Sequence, residues 1–315
     1  MNRYFFCLAV FACLDLSAWI TAQDATGFVE DLNATEVGAQ EIHLLSSGLI
    51  QVTLTDQNAI ELAEPKRITT ITGGGWIIDA GNRYFNFIDG GGVPLIFVGA
   101  NDCGTITLKG TIDLKSQNSI QFYGNSVDFQ PTAYLSQGSA IEIYVSDGIK
   151  FSPILNMSGG ILNFWETIDS RMELNVLPLG MTLGVDQGVT RMLGGRISGS
   201  GAIRKVLTGG FSIEFPTEFT GTMYVDNGTL ILSGAGSLEN CAAIVLSDEG
   251  SLDLHGVTPP INGSAEVLLK HLSGTGTVVL GDHNLHVEKL DFSGTVIGTG
   301  SIYPHPLFLE NQIYP

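Results

Sequence analysis

Three small groups of residues carry the types that chemistry needs. His283 and His286 lie in Gly281-Asp282-His283-Asn284-Leu285-His286, and two imidazoles can begin a metal site. Residues three apart on a strand point to opposite sides, so this pair shares an ion only across a bulge. The spacing therefore favours turn or surface histidines, as it does for His255 in Asp253-Leu254-His255-Gly256. The paired acids are Glu30-Asp31 and Asp248-Glu249. Glycoside hydrolysis needs two carboxylates across one gap, whereas adjacent strand residues face opposite ways. Acids brought together from separate strands are the remaining route to such a site. Gly199-Ser200-Gly201 and Gly274-Thr275-Gly276 open like a dinucleotide-binding turn, but Arg204 and Val279 stand where its third glycine belongs. No helix follows either turn, so no phosphate cradle forms. Neither a G-x-S-x-G elbow nor a P-loop occurs. The expectation is a chain with no catalytic, cofactor-binding or metal-ligating set.

The elements around these residues are strands. In Phe211-Ser212-Ile213-Glu214-Phe215 the apolar side chains take one side and Ser212 and Glu214 the other. Met223 with Val225, and Leu230 with Leu232, follow the same period of two. Asp226-Asn227-Gly228 separates these pairs as a tight turn. Similar beats recur upstream at 50–54, 68–71, 84–88, 95–98, 120–123, 141–145 and 161–164, rich in Ile, Val, Thr and aromatics. Residues 104–114 read as two strands joined at the glycine corner Gly110.

The pattern also repeats. Leu272-Ser273-Gly274-Thr275-Gly276-Thr277-Val278 matches Ile197-Ser198-Gly199-Ser200-Gly201-Ala202-Ile203, and Phe292-Ser293-Gly294-Thr295-Val296 matches Phe219-Thr220-Gly221-Thr222-Met223. From first apolar residue to phenylalanine the spacing is 22 in one copy and 20 in the other (219 − 197 and 292 − 272). Strand–turn units recurring at about 20 residues predict a solenoid of stacked windings.

Residues 193–238 resemble the autotransporter-associated β-strand repeat of bacterial passenger domains. The resemblance rests on ISGSG at 197–201, Lys205, FTGT at 219–222 and NGTLILSG at 227–234. A partial second copy spans 272–302, with Gly300-Ser301-Ile302 in place of the NGTL strand. The resemblance implies a right-handed parallel β-helix exported from the cytoplasm, and a scaffold rather than a catalytic site. Gly159-Gly160-Ile161-Leu162 and Phe122-Tyr123-Gly124-Asn125 are similar to the two short motifs of polymorphic outer-membrane proteins, which share that architecture.

Composition agrees with an all-β chain. Charged residues make up 15% of the 315, against about 25% in an average domain, and glycine is about twice its usual share. A formal charge of −18 argues against nucleic acid and anionic membrane surfaces, both of which select Lys and Arg. Residues 1–22 read as a secretory leader: Arg3, then an apolar run from Phe5 to Leu14 too short to span a bilayer, then Ile20-Thr21-Ala22. No later stretch is long enough for a transmembrane helix. Cys7 and Cys13 leave with such a leader. Cys103 and Cys241 remain, 138 residues apart. At about 22 residues per winding and about 4.8 Å per rung they lie some 30 Å apart, far beyond the roughly 7 Å a disulfide allows. Two unpaired thiols are expected.

The expected organisation is a leader at 1–22, an N-terminal cap at 23–45, a solenoid at 46–302 and a C-terminal cap or tail at 303–315. Thr258-Pro259-Pro260 reads as a loop leaving the solenoid. The expected function is that of an exported, non-catalytic adhesive or structural protein that meets a protein or polysaccharide through its strand faces or loops. The alternative is a carbohydrate-active β-helix enzyme, although the adjacent aspartates, Gly-His-Gly and Arg-x-Lys of the pectin-hydrolase type are all missing. Passengers end in a β-barrel with an aromatic last residue. This chain ends Gln312-Ile313-Tyr314-Pro315 and lacks the two-partner signature NPNGI. The cell surface, the exterior and the periplasm, and a fragment of a longer chain, all remain open as expectations.

Overall fold

The computed structural model describes side chains over 107–304, except at 115–116, 124–126, 145–149, 187, 189, 191, 193 and 259–265. Before residue 106 it describes the backbone of seven strands between Trp19 and Gly99. Among the described residues the chain is all-β, with thirty strands and no helix. No helix is therefore long and apolar enough to cross a membrane there.

Each winding has three sides. One runs from Val127–Phe129 to Thr132–Leu135 to Ala140–Ile143, and the next through Lys150–Phe151, Ile154–Met157 and Gly160–Phe164. We call these the first, second and third faces. Strands of one face pair in parallel with those of the winding before and after. Partners on the third face, from Ala140 through Ile161, Thr182 and Arg204 to Tyr224, lie 20 to 22 residues apart. The chain is a parallel β-solenoid, as the repeat predicts.

Alternation builds the core. Every second residue points inward, and in-register stacking turns these positions into apolar columns. Ile112, Ala133, Leu155, Leu174 and Ile197 make one such column, all buried. Phe129 and Phe151 stack at 5.4 Å with rings 13° apart, and Phe122 and Phe164 meet them edge-on. Burying a large side chain contributes about 1.5–3 kcal/mol, and each does so within a column shared by several windings. Cooperation along the axis follows from that sharing.

Glycine makes the corners possible. Gly110 joins the first and second faces of its winding at φ +91°, a left-handed conformation that only glycine adopts without strain. Close approach matters as much as φ. A Cβ on Gly221 would lie 2.0 Å from the Gly201 carbonyl oxygen, and one on Gly294 would lie 2.0 Å from that of Gly276. The two sequence copies thus build the same stacked glycine corner. They build it at different places. Ile197 lies on the second face and Ile203 on the third, whereas Leu272 lies on the third and Val278 on the first. The repeat is a corner device that this chain uses at two edges of the prism.

Several boundaries move. Gln40–Leu44 is already a rung, paired with Lys66–Thr70, so the ladder begins before residue 46. Trp19–Ala22, inside the expected leader, pairs with Gln40–Leu44. The rest of 1–22, and 23–39 with Glu30-Asp31, lie outside the described residues, as do Cys103 and 305–315. At the other end Tyr303 and Pro304 still pair, with His286 and Val287. An edge strand tolerates a proline, so the ladder runs past 302. Ile244 and Leu272 stack although 28 residues separate them, so this winding is enlarged; Pro259 and Pro260 of the expected loop lie outside the described residues.

Candidate functional site

Uneven corner lengths shape the outer surface. Between the second and third faces, four residues turn the corner after Leu135 and after Val176, but only two after Met157. The short corner sits between two longer ones and leaves a groove of about 360 Å³, lined by Gln137, Leu179, Thr182, Arg204 and Tyr224 among others. Leu179, on the longer corner, is 71% exposed. Arg204 lies over the Tyr224 ring at 5.1 Å and pairs with Asp226 one winding on. A second groove of about 350 Å³ crosses the second face over Ile154, Asn156, Glu173, Asn175, Arg196 and Ser198. The Asn175 amide donates to Asn156 at 3.1 Å, and Arg196 pairs with Glu218. Both grooves are open and mixed in polarity, shapes suited to contact with an extended chain rather than enclosure of a small molecule.

A ring ladder stands at the far edge of the third face. Tyr123 and Tyr144 stack at 4.5 Å, and Tyr144 and Trp165 at 5.4 Å, each pair within 4° of parallel. The rings cover one another face to face along the axis and offer edges to solvent. Sugars stack on ring faces, so this ladder stiffens the scaffold rather than serving as a platform. The Tyr144 hydroxyl donates to Glu142 at 2.5 Å. Burial, and then the Glu142 carboxylate, hold its pKa well above that of an ordinary phenol. In a spectrophotometric titration Tyr144 is expected to stay protonated where ordinary phenols ionise, so Tyr144→Phe should leave the titrating amplitude in that range unchanged.

The sequence candidates are dispersed. His283 is buried at a corner, 3.6 Å from Asp282, while His286 faces out, 3.6 Å from Glu266 and stacked on Tyr303 at 5.1 Å. His255 is exposed, and its backbone N–H donates to Asp253. Asp248 accepts from Thr275 one winding on, and Glu249 accepts from Asn227 one winding back at 2.8 Å. Each neighbour thus joins a different ladder. Gly199 and Gly274 pack their α-carbons against the Val176 and Leu246 carbonyls. Among the described residues no three His, Cys, Asp or Glu side chains converge as metal ligands.

Two groups lie inside the core. Lys205 points inward between Leu183 and Val225 and is fully buried. Its ammonium donates to the carbonyls of Leu207 at 2.6 Å, Gly209 at 2.5 Å and Asn227 at 2.8 Å. Burial pushes its pKa down to about 8. Sequence parity carries the signal, because Lys205 shares the inward parity of Ile203. Cys241 is buried and unpaired, its Sγ 3.1 Å from the Gly221 and Ala243 carbonyl oxygens. Burial pushes its thiol up to about 11. A thiol reagent should leave Cys241 untouched in the native protein and modify it fully in denaturant; rapid native labelling there would contradict the buried placement.

No family model matches this sequence, and neither a curated protein nor a solved structure matches it.

Proposed function

We propose that this protein is an exported, non-catalytic β-solenoid, similar to an autotransporter passenger, that acts as an adhesive or structural element at the cell surface or outside it. The observation that carries the reading is the continuous outer surface itself. Its polar ladders run from winding to winding: Asn156–Asn175, Arg196–Glu218 and Arg204–Asp226. A surface of this kind suits a broad, repetitive contact with a protein or polysaccharide. The groove linings support the same reading, with Glu173 the acid of one and Tyr224 the aromatic of the other. The leader-like residues 1–22 and the ISGSG–FTGT–NGTL motif support export. A charge of −18 suits a solvated surface.

The test has two arms. Fractionation of native cells, with protease treatment of intact cells, should place the chain at the surface or in the medium. Purified protein incubated with acidic and neutral polysaccharides should release no new chain ends, whether or not it binds them. Turnover of any of them would replace this reading with the carbohydrate-active alternative. Recovery only from the cytoplasm would overturn export.

A further inference from the structure

We propose that Asn227-Gly228 is a self-modifying site: it converts to aspartate or isoaspartate wherever the stack is open, and the folded stack holds it unreactive. Asparagine followed by glycine is the pair most prone to this reaction, because no side chain shields the glycine nitrogen. The Gly228 nitrogen attacks the Asn227 side-chain carbon. A carbon–nitrogen bond forms there, the bond to Nδ2 breaks, and Nδ2 leaves as ammonia with the proton of the backbone N–H. Water then opens the cyclic imide at either carbonyl. One opening gives aspartate, and the other gives isoaspartate, in which the main chain runs through the former side chain. Water is the only co-reactant.

The stack ties down both reacting groups. Asn227-Gly228 turns the corner between the third and first faces of its winding. The Asn227 amide donates to Glu249 one winding on, and its backbone carbonyl accepts from Lys205 one winding back, both at 2.8 Å. Side chain and peptide plane are thus held by different windings, and the side-chain carbon reaches the glycine nitrogen only by giving up the Glu249 bond. Gly228 is fixed as well. Its φ is +71°, and a Cβ on it would lie 2.4 Å from both the Gly209 carbonyl oxygen and the Lys205 Nζ. The products do not fit this corner. Aspartate would set a carboxylate against Glu249 where an amide donated, and like charges in contact repel. Isoaspartate would lengthen the main chain inside a winding paired in register at Asn227–Glu249 and Gly228–Gly250, and would draw the carbonyl off Lys205. Conversion is therefore one-way: a chain that reacts while open restacks poorly at this corner.

Peptide mapping by mass spectrometry reads the conversion in the full chain, held at mildly alkaline pH with and without urea. Asn262-Gly263, the other Asn-Gly pair of the sequence, supplies in urea the rate of an unprotected pair. Asn227 should match that rate in urea and react at least about tenfold more slowly in the folded protein, as expected where reaction requires local opening. Glu249→Ala, which frees the amide, should raise the folded-state rate severalfold and leave the rate in urea unchanged. On dilution from urea, converted chains should be depleted from the refolded, protease-resistant fraction. Asn227→Asp should lower the thermal midpoint, and Glu249→Gln added to it should restore most of the loss by donating an amide to the new carboxylate. Equal rates with and without urea, or a Glu249→Ala variant that reacts no faster when folded, would overturn the protection. Converted chains that refold as well as unconverted ones, or an Asn227→Asp loss that Glu249→Gln does not relieve, would overturn the exclusion of the product.

Discussion

Lys205→Met is expected to destabilise the fold by about 3 kcal/mol or more. Methionine keeps the volume and removes only the donors. The half-buried carbonyls of Leu207 and Asn227 then lose the ammonium, while that of Gly209 keeps the Thr229 N–H, and each acceptor left unpaired costs about 1–3 kcal/mol. These carbonyls belong to the corner between the third and first faces in two successive windings, so the loss loosens both. Urea unfolding measures it. The pH dependence gives a second reading. The folded-state pKa of Lys205 lies near 8, below the roughly 10.4 of an unfolded lysine. Between those values the unfolded chain holds a proton that the folded chain has released, so stability rises with pH through that window. Methionine has no such step. The deficit of the variant should therefore widen from pH 8 to 10; a constant deficit would mean that the buried ammonium never releases its proton in that range.

Gly221→Ala should cost about 3 kcal/mol, the upper part of the range for overpacking a tight site. The added carbon would sit 2.0 Å from the Gly201 carbonyl oxygen and 2.8 Å from the Phe219 ring. Neither can retreat easily, because Gly201 itself rests on Leu177, whose carbonyl a Cβ there would approach to 1.8 Å. Gly194→Ala is the control. Nothing lies within 4 Å of a Cβ at that position, and its effect should stay within about 0.5 kcal/mol. Thermal midpoints of the two variants, compared with wild type, decide the matter. Equal shifts would show that glycine serves the corner only through chain flexibility.

How much of this was legible in the sequence depends on what sets each feature. Strand parity was fully legible: Met223, Val225, Leu230 and Leu232 all turn inward, as the period of two requires. The ring ladder was legible in principle, since Tyr123, Tyr144 and Trp165 are each 21 apart, but that spacing signals contact only once the winding length is known. The face occupied by each repeat copy was not legible. ISGSG and LSGTG carry the same local instruction, a stacked glycine corner, and the side of the prism on which each falls depends on every preceding winding length. The dispersal of Asp248 and Glu249 followed from strand alternation, whereas their ladder partners Thr275 and Asn227 lie one winding away and depend on register. Burial of Lys205 was written in its parity and hidden by its charge. A lysine in a core needs acceptors, and these come from corner carbonyls that a linear reading does not bring together.

The stack itself is tested most directly by methyl–methyl contacts in selectively labelled protein. Met181, Ile203, Met223 and Ile244 are successive partners of one column on the third face. Nuclear Overhauser effects linking Met181 to Ile203, Ile203 to Met223 and Met223 to Ile244, with none between Met181 and Ile244, are the expected result. Contacts that skip a winding, or that pair these strands in antiparallel order, would contradict it.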